Sequence, residues 1–201
     1  MHSDIQRTYH VVYLTGTPAA GKSTVAAQLS KRIEQLEVFD YGERLLRYVR
    51  EKSQKSVTYD ELRGDSATII TPDDVAAVDE LLIDWVRERR THAHLVIDTH
   101  AVTKEGYGFR VTPFSLEQVK RLAPSQIVVI FTTPELARDR ITQNAAGRRM
   151  PSEFEAGFHA ALQGSVAVSY GIMLGVPIQF LDGSQELKTI VDWIHTHISR
   201  S

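Results

Sequence analysis

Residues 16–24, GTPAAGKST, constrain the fold of this chain more than any other stretch. They follow the apolar run 10–14 and lead into a segment with helical spacing. Because glycine adopts left-handed backbone angles at little cost, Gly16 and Gly21 permit a tight turn between a strand and a helix. The stretch therefore predicts a strand, a loop and a helix in direct succession.

Short apolar runs alternate with longer helical patterns along the rest of the chain. The apolar runs predict strands at residues 11–15, 37–40, 95–98, 126–131 and 177–181. The helical patterns predict helices at residues 22–35, 42–52, 72–90, 116–122, 134–143, 152–173 and 185–198. Several of the strands lack alternation of apolar and polar residues, which is typical of a parallel sheet covered on both faces. We expect a three-layer α/β fold whose ligands bind beyond the carboxyl ends of the strands.

The predicted helix at 72–90 has the clearest start signal. Thr71 can cap it, Pro72 suits its first position, and Asp73 and Asp74 complement the positive end of the helix dipole. This helix is expected to begin at Pro72.

Composition and charge limit the classes of partner. The chain has 201 residues, of which 42% are hydrophobic, so it can bury the core of one domain, expected to span residues 1–201. It carries 23 basic and 25 acidic residues, for a formal net charge of -2. Without an excess of positive charge, we expect no nucleic-acid partner and no membrane partner. The sequence leaves open whether the protein is a homo-oligomer.

The absence of cysteine and the polar N-terminus narrow the chemistry and the location. A chain with no cysteine has no disulfide scaffold, thiolate zinc site or cysteine nucleophile. The N-terminal MHSDIQRTYH is polar, and the apolar run after it is far shorter than the ~20 residues of a membrane span. We therefore expect a cytoplasmic protein.

The pattern Gly16-x-x-x-x-Gly21-Lys22-Ser23 is a complete Walker A motif between a predicted strand and a predicted helix. Its backbone N–H groups and the helix N-terminus favour bound phosphate. Lys22 would reach the β- and γ-phosphates, and Ser23 would bind magnesium. The expected nucleotide-binding residues are Gly16, Thr17, Pro18, Ala19, Ala20, Gly21, Lys22, Ser23 and Thr24. The motif predicts the P-loop NTPase version of the α/β fold, with a five-stranded, mostly parallel sheet flanked by helices.

Asp98 ends the apolar run 95–98 and is the natural carboxylate partner of this loop. We expect it to hold magnesium, directly or through water. His100 follows at once, and a histidine without a recognisable partner is more typical of a structural hydrogen bond than of a general base.

Arginines that could stabilise a moving phosphoryl group lie in ELARDRITQNAAGRRMPSE. Arg138 and Arg140 lie on a predicted helix, whereas Arg148 and Arg149 lie in a short segment that ends before Pro151. That segment, about 144–152, is predicted to be a short lid. The alternative is a solvated basic helix end.

With these residues assembled, the chain resembles the archaeal-type adenylate kinases, a branch of the P-loop nucleoside monophosphate kinases. The motifs that carry the resemblance are TGTPAAGKST, VFDYGERL, LVIDTHAVTKEGYGF, LAPSQIVVIFTTPELARDRI, the brief GRR, SYGIMLGVPIQFL and DGS. The phosphate loop alone is generic, and IDTH followed by KEGY is more specific.

The resemblance implies further site residues. An acceptor region would span about 41–92, with the loop 104–109 facing the acceptor base. The residues assigned to the acceptor side are Tyr41, Gly42, Arg63, Asp98, His100, Lys104, Gly106 and Tyr107. Arg140, Arg148 and Arg149 would bracket the transferring phosphoryl group, and Asp182, Gly183 and Ser184 would border the adenine of ATP. Each of these assignments has a simpler alternative. Gly42 could only begin a helix, Arg63 could be a surface charge, and Asp182-Gly183 could form an ordinary turn between a strand and a helix.

One departure from the family pattern lies in the helix after the lid. The family has an Asn-Arg pair shortly after a histidine, whereas His159 is followed here by Gln163 and Gly164 at those places. A phosphate-binding arginine is therefore missing. We expect Arg148 and Arg149 of the lid to compensate for it.

The resemblance implies a nucleoside monophosphate kinase that uses ATP and Mg²⁺, with AMP as the leading acceptor. Two alternatives stay open. The same scaffold could phosphorylate another small molecule or a deoxynucleotide. It could also be a nucleotide-binding switch or a partner-dependent ATPase in which the missing arginine reflects loss of transfer.

Overall fold

The computed structural model describes residues 9–53, 58, 66–143 and 150–199. In these ranges the strands are β1 (Val11–Gly16), β2 (Leu36–Asp40), β3 (His94–Asp98), β4 (Val102–Glu105), β5 (Gly108–Val111), β6 (Gln126–Phe131) and β7 (Ile178–Asp182). The helices are α1 (Lys22–Arg32), α2 (Tyr41–Ser53), α3 (Ser66–Ile69), α4 (Pro72–Arg89), α5 (Leu116–Leu122), α6 (Pro134–Gln143), α7 (Glu153–Leu174) and α8 (Leu187–Ser199).

Five of the strands form one sheet in the order β2-β3-β1-β6-β7. All four neighbouring pairs are parallel. Strand β1 is central, since Tyr13 pairs with Ile97 on one side and Ile127 on the other. The predicted α/β fold with a five-stranded sheet is confirmed, and the sheet is parallel throughout.

Helices cover both faces of the sheet. Along β1, Val11 and Tyr13 face a core shared with α2, α4, α5 and α7, whereas Val12 and Leu14 face a core shared with α1 and α8. Every residue of β1 is buried. Burial on both faces explains why this strand lacks the alternation of a half-exposed strand.

Capping boxes set the starts of three helices. At α4, Asp74 N donates to Thr71 Oγ1 over 3.2 Å, and Thr71 N donates to Asp74 Oδ2 over 2.9 Å. The same reciprocal pattern begins α5 at Ser115 and α7 at Ser152. The start predicted at Pro72 is thus confirmed, because side chains satisfy backbone N–H groups that have no partner within the helix.

The short helix α3 was not predicted from the sequence, and two further local features differ from the expectation. Helix α1 ends at Arg32, before the predicted residue 35, because Ile33 is extended and Gln35 has a φ of 60°. The predicted loop 104–109 lies within the antiparallel hairpin β4–β5, in which Val102 pairs with Val111 and Glu105 with Gly108. The family resemblance implied the loop, and the sequence pattern predicted no strand between residues 98 and 126.

Some predicted features lie outside the described residues. They are Arg63 of the acceptor region and, in the lid, residues 144–149 with Arg148 and Arg149. Within the ranges that the structure covers, no helix combines the length and apolar character needed to cross a membrane.

Two glycines of α7 provide a matched test of packing. A β-carbon at Gly171 would lie 2.2 Å from Ile178 Cγ1, whereas one at Gly157 would meet nothing within 4 Å. We expect Gly157→Ala to raise the free energy of unfolding by up to about 1 kcal/mol, since alanine favours the helix. Gly171→Ala should lower it by about 1–3 kcal/mol through overpacking. Urea denaturation followed by circular dichroism checks both, and shifts of the same sign would contradict the packing described for Gly171.

Candidate active site

A cavity of about 240 Å³ opens where β1, β2 and β3 end at the carboxyl edge of the sheet. Its lining includes the phosphate loop, the ends of β2 and β3, parts of α2 and α4, and the hairpin β4–β5. Ligand sites in open parallel sheets are expected at this edge. The predicted nucleotide side and the predicted acceptor side therefore share one cavity.

The phosphate loop depends on its two glycines. Gly16 has a φ of 145°, and a β-carbon there would lie 1.9 Å from the carbonyl oxygen of Ile130. Thr17 N donates to that same oxygen over 3.2 Å, which holds the loop against β6. Gly21 has a φ of 95° and is the N-cap of α1. The first N–H groups of α1 have no partner within the helix and suit a bound anion.

Lys22 lies across the loop that precedes it. Its ammonium donates to the carbonyl oxygens of Gly16 and Thr17, both over 3.1 Å. These contacts place a positive charge at the cavity wall, as the Walker A interpretation requires.

Ser23 and Asp98 are in direct contact. Ser23 Oγ donates to Asp98 Oδ2 over 2.7 Å, and Asp98 is 6% exposed. A hydroxyl and a carboxylate are the hard oxygen ligands that Mg²⁺ prefers, so this pair fits the ion. Among the described residues, no group of three or more His, Asp or Glu side chains could hold a metal.

Arg140 of α6 joins two loops. Its Nη1 donates to Ala19 O and its Nη2 to Gly183 O, each over 3.0 Å. Gly183 N in turn donates to Phe131 O over 2.6 Å. A β-carbon at Gly183 would lie 2.8 Å from Ala20 O, so glycine allows this close approach. In this conformation Arg140 positions the phosphate loop, and its predicted catalytic role stays a prediction.

The segment 182–184 is fixed beside the phosphate loop. Asp182 Oδ1 accepts from Ser184 N over 2.8 Å, and this backbone hydrogen bond holds the pKa of Asp182 below its usual range. Gly183 therefore lies against the phosphate loop, and the predicted role of this segment beside the adenine of ATP stays a prediction.

On the acceptor side, Tyr41 and Gly42 begin α2 and line the cavity. Tyr41 is buried, and its hydroxyl donates to Asp79 Oδ1 over 2.6 Å. Asp79 also accepts from Gln118 Nε2 over 3.0 Å, and its burial raises its pKa. Asp79 was not predicted as a site residue, because the sequence of a helix does not show which groups of other elements an acidic side chain contacts.

The hairpin residues divide into two groups. Lys104 lines the cavity together with Phe109, and its Nζ lies 5.4 Å from the centre of the Phe109 ring. The ammonium also pairs with Glu155 over 3.0 Å. Gly106 and Tyr107 are exposed at the hairpin turn and do not line the cavity.

Two histidines lie at the cavity wall. His100, which follows β3, is exposed there. His159 is buried, and its Nε2 lies 3.1 Å from Val102 O. Burial lowers the pKa of His159 to about 4, so its ring is neutral at pH 7 and Nε2–H donates to that carbonyl.

Gln163 occupies the place where the resembled family has asparagine. It is 1% exposed, and its Oε1 accepts from Ala101 N and Val102 N, both over 3.1 Å. Its Nε2 donates to Thr15 Oγ1 over 2.9 Å. Gln163 thus ties the segment after Asp98 to the strand that enters the phosphate loop.

Gly164 occupies the place of the missing arginine. A β-carbon there would lie 3.4 Å from Cε1 of Phe180 on β7. The side-chain direction at this position is therefore toward the Phe180 ring, so an arginine would have to fit beside that ring.

Three buried hydroxyls that line the cavity have no hydrogen-bond partner within the described part of the chain. They belong to Tyr13, Thr17 and Thr132. The pKa of Tyr13 is raised chiefly by its burial, and also by the neighbouring Tyr170 and Asp79. Buried hydroxyls are normally hydrogen-bonded, so these groups are suited to contacts with a ligand.

Comparison with known proteins identifies the family. The AAA domain family matches residues 15–155, and the chain belongs to this family of P-loop proteins. It is 23% identical over 172 residues to the adenylate kinase of Methanothermobacter thermautotrophicus, covering 85% of this chain and 89% of that protein. The resemblance to adenylate kinases is confirmed.

A solved structure supports the fold. The tunicamycin resistance protein of Deinococcus radiodurans superposes with a TM-score of 0.57 at 13% identity, covering 96% of this chain and 97% of that one. At this identity the likeness concerns the fold alone.

The contacts of Arg140 predict an effect on nucleotide binding. Lysine keeps the charge but cannot present two fixed N–H donors to Ala19 O and Gly183 O. We expect Arg140→Lys to weaken the binding of MgATP about tenfold, as for loss of one charged hydrogen bond. Arg87→Lys, at an exposed position of α4, is the control. Calorimetric titration measures both, and unchanged affinity in Arg140→Lys would contradict the positioning role.

Proposed function

We propose that this protein is a nucleoside monophosphate kinase, which transfers the γ-phosphoryl group of ATP to a nucleoside monophosphate, with AMP as the leading acceptor. The observation that carries the proposal is the shared cavity. Lys22, Ser23 and Asp98 line it together with Tyr41, Asp79 and other residues of the α2–α4 wall. A phosphate loop that opens onto a second walled space suits a reaction between two bound molecules.

The reaction requires no nucleophile from the protein. A phosphate oxygen of the acceptor forms a bond to the γ-phosphorus as the bond from that phosphorus to the β–γ bridging oxygen breaks. ADP leaves, and a monophosphate acceptor becomes a diphosphate. Positioning and charge stabilisation supply most of the catalysis in such reactions.

The chain's own residues match these tasks. The backbone N–H groups of the loop and of the α1 N-terminus would hold the phosphates of ATP, with Lys22 neutralising their charge. Ser23 and Asp98 would hold Mg²⁺, which neutralises charge on the β- and γ-phosphates when bound. The enclosing walls would keep water from competing with the acceptor.

A panel of acceptors tests the proposal. ADP formation from ATP is followed with AMP, dAMP, CMP, UMP, GMP and IMP, and without acceptor. We expect ADP production to depend on a monophosphate and AMP to be an efficient acceptor. Slow loss of ATP that is indifferent to every acceptor would contradict the kinase proposal and favour a nucleotide switch or ATPase.

Lys22 provides the most direct mutational test. Lys22→Met removes the ammonium and keeps a chain of similar length, so turnover should fall by about 10²-fold or more. Lys31→Met, at an exposed position near the end of α1, is the control and should keep full turnover. Near-normal turnover in a folded Lys22→Met protein would remove the Walker A assignment.

Asp98 is tested through magnesium dependence. Asp98→Asn can still accept from Ser23 but loses the negative charge that attracts the ion. Turnover should fall, and the Mg²⁺ concentration for half-maximal rate should rise. Asp139→Asn, at an exposed position of α6, should change neither value. A slower enzyme with unchanged Mg²⁺ dependence would show that Asp98 has no role at the metal.

A further inference from the structure

The inner wall of the cavity combines apolar side chains with a buried carboxylate. Leu45, Ile70, Val75 and Phe114 supply the apolar part and are buried or half-buried, while Asp79 is 6% exposed. Apolar walls with a few fixed polar groups are typical of pockets that bind a planar organic group. A phosphate would be repelled by the carboxylate, so this wall suits the base of an acceptor.

The contacts of Asp79 define it as a hydrogen-bond acceptor. The Tyr41 hydroxyl donates to Oδ1, and the Gln118 amide donates to Oδ2. The orientation of that amide is set on its other side, because Gln118 Oε1 accepts from Ser115 N over 2.7 Å in the capping box of α5. A carboxylate has about four acceptor positions. Asp79 therefore has capacity for a further N–H donor.

Tyr13 supplies the complementary group. Its side chain is 1% exposed and lines the cavity, and its hydroxyl lacks a hydrogen-bond partner in the described ranges. Tyr13 and Tyr41, whose hydroxyl donates to Asp79, both pack edge-on against Phe114, with centroid distances of 6.3 Å and 6.0 Å, so Tyr13 and Asp79 belong to one cluster of the cavity wall. The Tyr13 ring is held edge-on against Phe114 and Tyr170, with centroid distances of 6.3 Å and 5.7 Å. A fixed ring with an unused O–H can donate to a ligand atom.

We propose that Asp79 and Tyr13 read the base of the acceptor nucleotide. The carboxylate of Asp79 accepts from an exocyclic amino group, and the hydroxyl of Tyr13 donates to the adjacent unprotonated ring nitrogen. Adenine and cytosine present this pair of groups. On the corresponding edge, which carries O6 and N1–H in hypoxanthine and guanine and O4 and N3–H in uracil, these bases place a carbonyl oxygen against the carboxylate and an N–H at the ring nitrogen, so they are disfavoured. The inference rests on the proposed function, whose acceptor class it narrows.

AMP and IMP provide the sharpest comparison, because they differ at this edge of the base and share the same ribose and phosphate. Their binding is measured by calorimetry with a nonhydrolysable ATP analogue and Mg²⁺ saturating the phosphate loop. We expect AMP to bind about 10- to 100-fold more tightly than IMP, the range for loss of a hydrogen bond to a charged group. Equal affinities would overturn the inference.

Two substitutions test whether Asp79 and Tyr13 cause the preference for AMP over IMP. Asp79→Asn can still accept from Tyr41 and can donate an amide N–H to the carbonyl of IMP, so the AMP-to-IMP ratio should fall at least about tenfold. Tyr13→Phe should weaken AMP binding about 5- to 10-fold and leave the affinity for the ATP analogue unchanged. Asp84→Asn, on the outer part of the same helix α4, is the control and should keep the wild-type ratio.

The outcomes separate this inference from the proposed function. A folded Asp79→Asn protein that keeps the full AMP preference would overturn the inference, even if the enzyme is an active kinase. The protein could instead bind AMP more tightly than IMP in a way that depends on Asp79, yet transfer no phosphoryl group. That result would support recognition of the base by Asp79 and contradict the kinase proposal. If thermal unfolding shows that Asp79→Asn does not fold, two other measurements test the inference. They are the AMP-to-IMP affinity ratio of the wild type and the effect of Tyr13→Phe on AMP binding. A loss of affinity for dAMP relative to AMP, with AMP and IMP equal, would assign the wall to the ribose and overturn the inference.

Discussion

The site depends on the close approach between the end of β1 and the backbone of β6. Gly16 permits it, because any side chain at that position would collide with the carbonyl of Ile130. With that contact made, Thr17 N donates to the same carbonyl, and the chain turns toward the N-terminus of α1. The left-handed backbone at Gly21 completes the turn. A phosphate cradle therefore follows from backbone sterics before any charged side chain contributes.

Side-chain contacts then connect this loop to the other parts of the cavity. The Ser23 hydroxyl reaches the end of β3 at Asp98, and Arg140 reaches across to the segment after β7. Gln163 ties the backbone after β3 to Thr15 at the entrance of the loop. These contacts come from different helices and hold the strand ends in one arrangement. The carbonyl contacts of Arg140 show how a cation can act on the loop without touching a phosphate.

The sequence predicted what depends on local rules. The strands, the capped start of α4 and the phosphate loop all follow from patterns within a few residues, and each is present. The hairpin β4–β5 was missed because each of its strands has only four residues and neither is a continuous apolar run. Asp79 and Tyr13 were missed because their significance comes from contacts between segments far apart in the sequence, such as those of Asp79 with Tyr41 and Gln118. The role of Gln163 is likewise a contact between distant segments, and no spacing rule could have indicated it.

The central claim is that the cavity joins a phosphoryl donor to an acceptor, and the fate of the transferred group tests it most directly. The protein is incubated with Mg²⁺, unlabelled AMP and ATP labelled with ³²P at the γ-position, and the products are separated by chromatography. The account predicts that the label appears in ADP, in an amount equal to the ATP consumed early in the reaction. Label released as inorganic phosphate, at a rate independent of AMP, would contradict it.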